Sequence, residues 1–384
     1  MFKDDFPLAE YQERQKRVRT KMEAAGLDLL LVIHPVNINY LIGARHKAYQ
    51  EFQCLFFTRD PGPLTMMTRL ADVFELERES LAGEVRGWGG REPGDPIVLF
   101  ESIMKEKGYL RLKCGLEVPR YYIHPYEYER IRAMLGTRLV ADATNFIEQL
   151  KLVKSPNEIA YIRRAAGIAD AAMETMVRTT KEGMTEHEVA AEMHRTLMAE
   201  GSDAPPSPMN LAFGERTAYG HGLPSERRLR RGDYIMIEYG AAYKRYCSTI
   251  GRQLALGPPT NRMKEIYQVV RDACDACIAE MKDGAPAVKP HEAAKRVIAK
   301  AGMDQYRTHT TGYGIAPGFP PSWGESIHMM GDSEYALQAG MVLSVEPPVF
   351  IPEEGLGARI IDNVLVTKTG GEVLSRFTRD LIQL

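Results

Sequence analysis

The chain has 384 residues, which is too long for one ordinary hydrophobic core and suits two domains. A composition of 44% hydrophobic and 26% charged residues is that of a globular protein, and a net charge of −2 gives no reason to expect a nucleic-acid partner. No apolar run approaches the roughly 18–20 residues that span a membrane. The first residues lack the apolar stretch of a secretory signal. We therefore expect a cytoplasmic protein that binds neither nucleic acid nor membranes.

The first part of the chain alternates between helical and strand patterns. The segment YQERQKRVRTKMEAAG predicts a helix with Val18, Met22 and Ala25 on one face and an end at Gly26. The continuous apolar run LDLLLVIH is typical of a strand covered on both faces. Strand-like QCLFFT, GPLTMMT and RLKCGLEV then alternate with helix-like DPIVLFESIMKEKG and YEYERIRAMLG. These patterns predict an α/β domain over residues 1–152, and no glycine-rich phosphate loop follows any of its strands.

A helix-start signal marks the second domain, which we predict over residues 153–384. Ser155 and Glu158 form a capping box before a long amphipathic pattern, and Thr185 and Glu188 form a second one. Strand signals follow, then two further helices, then the strand-like runs MVLSVEPPVF and ARIIDNVLVT. This order predicts an α+β domain with a mainly antiparallel sheet.

Several long segments carry a family resemblance. They are FGERTAYGHGLPSERRLRRGDYIMIEYGAAYKRYCSTIGRQLALG, THTTGYGIAPG, MVLSVEPPVF and GLGARIIDNVLVT, together with DLLLVIHPVNINYLIG and KLVKSPNEIAYIRRAA nearer the amino terminus. In order and context they resemble the creatinase, prolidase and methionine aminopeptidase family. The resemblance implies the pita-bread fold for the second domain and a creatinase-like α/β domain before it.

The metallopeptidases of this family hold two divalent metals with Asp, Asp, His, Glu and Glu. Carried over position by position, the resemblance places these ligands on Glu238, Thr249, Tyr313, Glu346 and Ile361. Two of the five positions carry a carboxylate, whereas a divalent ion needs several anionic oxygens or imidazoles to replace its water. We therefore expect no bound metal and no other cofactor.

A smaller set of polar side chains remains at this place. His221, in YGHGLPSERRL, matches the histidine that is the acid–base catalyst of creatinase, and the resemblance groups it with Glu238 and Glu346 as catalytic residues. Two neighbouring carboxylates without a metal favour a cationic or zwitterionic substrate. The alternatives are that His221 is a satisfied core histidine and that each glutamate is a buried ion-pair partner of Arg359 or Arg252.

Within the metal-free members, ectoine hydrolase-like enzymes resemble the chain most closely, in IEYGAAYKRYCST and TGYGIAPGFPPSWGE. The resemblance implies that Tyr313 donates a hydrogen bond and that Trp323 and Glu325 line the pocket. Arg359 or Arg216 would bind the substrate carboxylate. The alternatives are simple packing for Tyr313 and a rigid loop for Trp323 and Glu325.

These observations lead to a functional expectation with open alternatives. We expect a homodimeric, metal-independent hydrolase that cleaves a C–N bond in a small amidine or amide zwitterion, with ectoine first. In relatives the amino-terminal domain of one subunit caps the other's site, and the segment 45–53 is a candidate for this contact. The alternatives are a creatinase or another hydrolase of a small nitrogen compound, and an inactive binding protein. A further alternative is a metalloenzyme with unusual ligands, similar to Xaa-Pro peptidases or to dimethylsulfoniopropionate lyases.

Overall fold

The computed structural model describes residues 2–384, apart from the side chain of residue 316. The chain divides into two compact units, Met1–Lys151 and Leu152–Leu384, whereas the sequence placed the boundary one residue later. Both units combine helices with a sheet, which confirms the predicted two-domain α+β class. Among the described residues, none of the helices has both the length and the apolarity that crossing a membrane requires.

The first unit is a mixed sheet with helices around it. Its helices are α1 Leu8–Ala24, α2 Pro35–Ile42, α3 Val73–Glu79, α4 Pro96–Glu106, α5 Pro125–Leu135 and α6 Glu148–Lys151. Its strands are β1 Leu29–Val32, β2 Cys54–Thr58, β3 Thr65–Arg69, β4 Glu84–Trp88, β5 Cys114–Leu116 and β6 Leu139–Asp142. They are ordered β4-β3-β2-β1-β5-β6, and β1 runs parallel to β5 and antiparallel to β2.

The apolar run of β1 explains its central place in this sheet. Leu30 belongs to a core on one face and Leu31 to a core on the other, so both faces are covered as predicted. Val18 and Met22 of α1 are buried on the face that the sequence predicted. Ala25 is an exception, because it lies at the C-cap of α1 and is exposed. The helical spacing continues to this residue in the sequence, but the helix ends before it.

The second unit contains a larger sheet flanked by long helices. Its helices are α7 Pro156–Thr179, α8 Glu186–Ala199, α9 Asn261–Ala279 and α10 Val288–Lys300. Its strands are β7 Asn210–Phe213, β8 Tyr234–Tyr243, β9 Tyr246–Ala255, β10 Tyr313–Phe319, β11 Ser322–His328, β12 Val342–Val345, β13 Val349–Ile351, β14 Leu356–Ala358, β15 Asp362–Val366, β16 Gly371–Val373 and β17 Ile382–Gln383. The main path is β16-β15-β12-β10-β9-β8-β7, with β11 on β10, β17 beside β9, and β13 paired with β14.

Both predicted capping boxes are present and fix the starts of α7 and α8. The Ser155 hydroxyl accepts from the Glu158 amide at 3.2 Å, and Glu158 accepts from the Ser155 amide at 2.8 Å. Thr185 and Glu188 make the same reciprocal pair at 3.1 and 2.7 Å. These bonds satisfy amide groups that have no partner within a helix.

The antiparallel pair β8–β9 is the platform on which the site is built. Ile235, Ile237 and Tyr239 of β8 face the core that α7 and α8 form, and the Tyr239 hydroxyl donates to the carbonyl of Ala169 at 2.6 Å. Because alternate residues of a strand point to opposite faces, Glu238 lies on the other face. Gly240 lies opposite Thr249 in the register, so Thr249 shares that face.

Candidate functional site

A cavity of about 390 Å³ in the second unit lies at the face of β8 that carries Glu238. Strands β7, β8, β10 and β11 each contribute to its wall, together with the loop between β7 and β8. The lining residues are Ser207, Pro208, Asn210, His221, Leu223, Glu238, Tyr313, Pro321, Ser322 and Trp323. The cavity therefore brings together four residues that the sequence singled out, His221, Glu238, Tyr313 and Trp323.

Glu238 is held by an ion pair with Arg359. The Arg359 guanidinium contacts Glu238 Oε2, and Asn210 Nδ2 donates to the same oxygen at 2.9 Å across the β7–β8 register. Arg359 is 1% exposed and also donates to the carbonyl of Gly220 at 3.1 Å. Both of these contacts use Oε2, so within the described part of the chain Oε1 is the oxygen that can contact a ligand in the cavity. Arg359 was a candidate for binding a substrate carboxylate, but the structure places it behind Glu238, as in the alternative interpretation.

Glu346 lies near Tyr313, outside the cavity lining. The Ser344 hydroxyl donates to Glu346 Oε2 at 2.7 Å, and His309 Nδ1 lies 3.5 Å from Glu346 Oε1. Complete burial raises the pKa of Glu346 from 4.5 to about 8, because the charged form loses its water. Glu346 is therefore mostly a neutral acid at neutral pH, and it is not the ion-pair partner of Arg359 or Arg252.

The raised pKa of Glu346 gives an expected pH dependence of stability. The folded state holds this proton more tightly than the unfolded chain does, so the stabilisation is complete below pH 4.5 and is lost as the pH rises to about 8. In Glu346→Gln the loss should disappear, so wild type should become less stable relative to the variant between about pH 5 and pH 8. Urea unfolding midpoints of both proteins across this range measure the difference. A difference that stays constant with pH would contradict the assignment.

His221 is an exposed histidine in the cavity lining. Its side chain is exposed at the cavity, and its ring centroid lies 5.2 Å from that of His309. Partial burial lowers the pKa of His221 below 6.5, and the charges of Arg359 and His309 lower it further. The imidazole is thus neutral at physiological pH. The exposure excludes the alternative of a satisfied core histidine.

Tyr313 and Trp323 form a hydrogen-bonded pair in the cavity wall. Trp323 Nε1 donates to the Tyr313 hydroxyl at 3.1 Å. The indole ring lies on Gly240, where a Cβ atom would come within 2.9 Å of it. Burial and the nearby Glu346 raise the pKa of Tyr313, so its phenol stays protonated. Tyr313 and Trp323 therefore belong to the cavity wall.

Two other candidates lie elsewhere. Glu325 accepts from Lys154 Nζ at 2.5 Å in an ion pair whose side chains are both 1% exposed, and neither lines the cavity. The predicted pocket role of Glu325 is corrected to this buried pair, because its carboxylate is held by Lys154 and lies outside the cavity lining, although Glu325 is on the same face of β11 as Trp323. Arg216 contacts Glu186 and donates to Ser225 Oγ at 2.6 Å. Its guanidinium is therefore already engaged away from the cavity.

Thr249 and Ile361 are uncharged residues at two of the five positions where the family carries metal ligands. The Thr249 hydroxyl accepts from Asn363 Nδ2 at 2.8 Å, and Asn363 Oδ1 accepts from the Thr249 amide at 2.7 Å. Ile361 packs on Gly251, which exchanges both backbone hydrogen bonds with it at 3.0 and 3.1 Å. The next residue, Asp362, contacts Arg252 and a second arginine at 2.8 Å each and so is turned away from this face.

These side chains do not fit a dinuclear metal centre. Of the five positions, Glu238 forms an ion pair with Arg359, and burial keeps Glu346 mostly neutral. The Thr249 hydroxyl is hydrogen-bonded to the side-chain amide of Asn363. The other two positions carry the phenol of Tyr313 and the hydrocarbon side chain of Ile361. Divalent metals need deprotonated oxygen, nitrogen or sulfur ligands. Within residues 2–384 no group of three or more His, Cys, Asp or Glu side chains is arranged to hold an ion.

Asn210 and Lys154 are the contacts that the sequence did not reveal. Asn210 begins β7, which was not predicted as a strand, and it reaches Glu238 only through the strand register. The feature of the sequence that could have indicated this contact is the polar residue at the start of the apolar run NLAF. Lys154 precedes the capping box of α7 and meets Glu325 far along the chain. No local pattern connects these two residues.

Comparison with known proteins agrees with the fold and identifies its relatives. Residues 160–368 match the sequence model of metallopeptidase family M24, and residues 14–153 match the creatinase/prolidase N-terminal domain. An uncharacterized peptidase of Staphylococcus aureus is 28% identical over 356 residues, which cover 92% of this chain and 95% of that protein. The predicted family resemblance is confirmed.

Two solved structures extend this likeness to the whole chain. A recombinant prolidase from Thermococcus sibiricus has a TM-score of 0.87 and 26% identity, covering 97% of this chain and 99% of its own. A Xaa-Pro dipeptidase from Bacillus anthracis has a TM-score of 0.85 and 27% identity, covering 97% and 100%.

These relatives overturn the prediction of an ectoine-like substrate. They support a hydrolase, but their names are those of peptidases, prolidases and dipeptidases, so the prediction of a non-peptide C–N hydrolase is wrong. Metal independence is not supported by them either, although the side chains at the five positions do not fit two metals. The ectoine resemblance rested on two short segments, whereas the similarity to peptidases covers almost the full length. Because the matched model covers more than half of its residues, the chain belongs to metallopeptidase family M24.

Proposed function

We propose that the protein hydrolyses the peptide bond of small Xaa-Pro substrates. The observation that supports this most is the likeness, over 97% of the chain, to a Xaa-Pro dipeptidase and a prolidase. The cavity is compatible with a proline side chain, because Trp323, Tyr313, Pro208 and Pro321 give it apolar and aromatic walls. Its volume of about 390 Å³ is in the range of small-molecule sites.

The charges at the cavity suit a substrate without net charge, such as a zwitterionic dipeptide. The charges of Glu238 and Arg359 cancel, burial keeps Glu346 mostly neutral, and His221 is uncharged at neutral pH. Arg359 and Asn210 both contact Oε2 of Glu238, so Oε1 is suited to accept a hydrogen bond from the ammonium group of a dipeptide. Glu238 is therefore proposed as a substrate contact and not as a group that attacks the carbonyl carbon.

The proposed chemistry uses His221 as the proton carrier. As a neutral imidazole, His221 can accept a proton from the attacking water while the water oxygen bonds to the carbonyl carbon. The same proton then passes to the leaving nitrogen as the C–N bond breaks, which yields a carboxylic acid and a free amine, and the acid then gives its proton to the amine or to water. Glu346, as a neutral acid, would add no charge beside Tyr313.

A panel of dipeptides tests the proposed function. Ala-Pro and Phe-Pro should release free proline, and Ala-Ala should be cleaved far more slowly, because it lacks the ring that the aromatic wall accommodates. Chromatography of the products after incubation with purified protein measures the release. Equal cleavage of all three would contradict the Xaa-Pro preference, and no cleavage of any would contradict peptide hydrolysis.

We expect divalent metals to change the thermal stability of the protein very little. A ligand that binds only the folded state raises its stability by RT ln(1 + [L]/Kd), so a tight metal site gives a large shift. Because the donors do not fit, about 1 mM Mn²⁺ or Co²⁺ should leave the midpoint of thermal unfolding almost unchanged. Thermal unfolding with metal and with chelator measures this. A rise of several degrees with stoichiometric metal uptake would show that the available side chains do bind a metal.

A second candidate function is recognition of such a dipeptide without turnover. It is favoured by one observation, that uncharged groups occupy three of the five ligand positions of the family. Tight binding of Ala-Pro by calorimetry without release of proline would support it. The homodimer expected from the sequence stays a prediction, and light scattering of the purified protein tests it.

A further inference from the structure

The hydrogen-bond arrangement of Tyr313 leaves its own proton for another acceptor. The Tyr313 hydroxyl receives the Trp323 Nε1–H at 3.1 Å, so one of its lone pairs is used. No bond in which Tyr313 donates is recorded among the described residues. The same side chain lines the cavity together with His221 and Glu238. A phenol that accepts from one side and faces a cavity on the other is suited to donate to a ligand.

Trp323 is fixed in one place by the strand pair beneath it. Trp323 is 5% exposed and its ring lies on Gly240, where any Cβ atom would collide with it. Gly240 therefore makes room for the indole on the platform strand. The indole in turn gives the Tyr313 hydroxyl a donor at a defined point, which limits rotation of the phenolic O–H.

We infer that Tyr313 donates a hydrogen bond to the carbonyl oxygen of the scissile bond and that Trp323 is its positioning residue. This inference rests on the proposed function. As water adds to the carbonyl carbon, negative charge develops on that oxygen and the hydrogen bond from Tyr313 strengthens, while the proton stays on the phenol. The raised pKa of Tyr313 agrees with this role, because a phenol must be protonated to donate.

Kinetics of three variants test the inference. Tyr313→Phe should lower kcat by about 10²–10³-fold and change KM little, as for loss of one oxyanion donor. Trp323→Phe should lower kcat by a smaller factor, and the double variant should be no slower than Tyr313→Phe, because both act through one hydroxyl. A purely structural role would give effects that multiply and would also raise KM. Multiplying effects, or an unchanged kcat in Tyr313→Phe, would overturn the inference.

Matched controls come from the first unit. Tyr121 is exposed, and Trp88 donates Nε1–H to the carbonyl of Phe52 at 3.0 Å, so Tyr121→Phe and Trp88→Phe make the same chemical changes elsewhere. Both should keep wild-type kcat. Circular dichroism and thermal unfolding of every variant show whether it folds.

A binding measurement keeps this inference separate from the proposed function. If wild type binds Ala-Pro without cleaving it, the proposed function fails but the donor can still be examined. Tyr313→Phe should then weaken calorimetric binding of Ala-Pro by about 5–10-fold, the effect of one neutral hydrogen bond. Equal affinity in both proteins, or no binding to wild type, would overturn the inference.

Discussion

Replacing Arg359 by methionine should lower the free energy of unfolding by about 3–5 kcal/mol, the usual effect of removing one member of a buried ion pair. Arg359 is 1% exposed and Glu238 is 7% exposed, so the variant leaves a largely buried carboxylate without its cation. Asn210 supplies only one neutral hydrogen bond to that oxygen. Methionine keeps much of the arginine length, so the loss should come mainly from the unpaired charge. Urea unfolding at neutral pH measures it.

The double variant Arg359→Met with Glu238→Gln distinguishes charge from packing. It should regain most of the lost stability, because the uncompensated carboxylate is gone and replacing both members of a buried pair is often nearly neutral. Arg163→Met is the matched control, since Arg163 pairs with Glu372 at the surface with both side chains over 40% exposed. Such a pair contributes about 0–1 kcal/mol. If the double variant were no more stable than Arg359→Met, packing and not charge would explain the loss.

Local signals in the sequence predicted the elements that position the site. The two capping boxes and the strand signal of β8 depend on residues within one turn or one strand, and the structure has all three elements. The register of β8 and β9 in the structure then puts Glu238 and Thr249 on one face. Ala25 shows the limit of such patterns, because spacing indicates the face of a helix but not the residue at which it ends.

The partners of the site residues could not be predicted in the same way. Glu238 could pair with Arg359 or Arg252, and only the fold decides, since Arg252 is used by Asp362. Glu325 meets Lys154 at a separation of 171 residues, beyond any periodic signal. The prediction of an ectoine-like substrate is wrong for a related reason. Two short segments indicate the substrate less well than a similarity that covers 97% of the chain.

His221→Ala should lower kcat for Ala-Pro by about 10²–10⁴-fold, the contribution of a well-placed general acid–base group. Burial and the charges of Arg359 and His309 lower the pKa of His221 below 6.5, so wild type should keep its neutral, active form at physiological pH. Its activity should fall only as the pH drops through that lowered pKa. The low residual kcat of the variant should not show this decrease at acidic pH.

A stability measurement distinguishes the loss of kcat expected for His221→Ala from the loss of stability expected for Arg359→Met. The side chain of His221 is exposed at the cavity and forms no ion pair with any residue that the structure describes, so His221→Ala should unfold at nearly the wild-type urea concentration. The control is His187→Ala, which removes an exposed histidine on α8 that contacts Glu226 at 3.1 Å. This control should keep both rate and stability. A His221→Ala protein that retains its turnover, or that loses rate and stability together, would place the proton carrier elsewhere in the cavity.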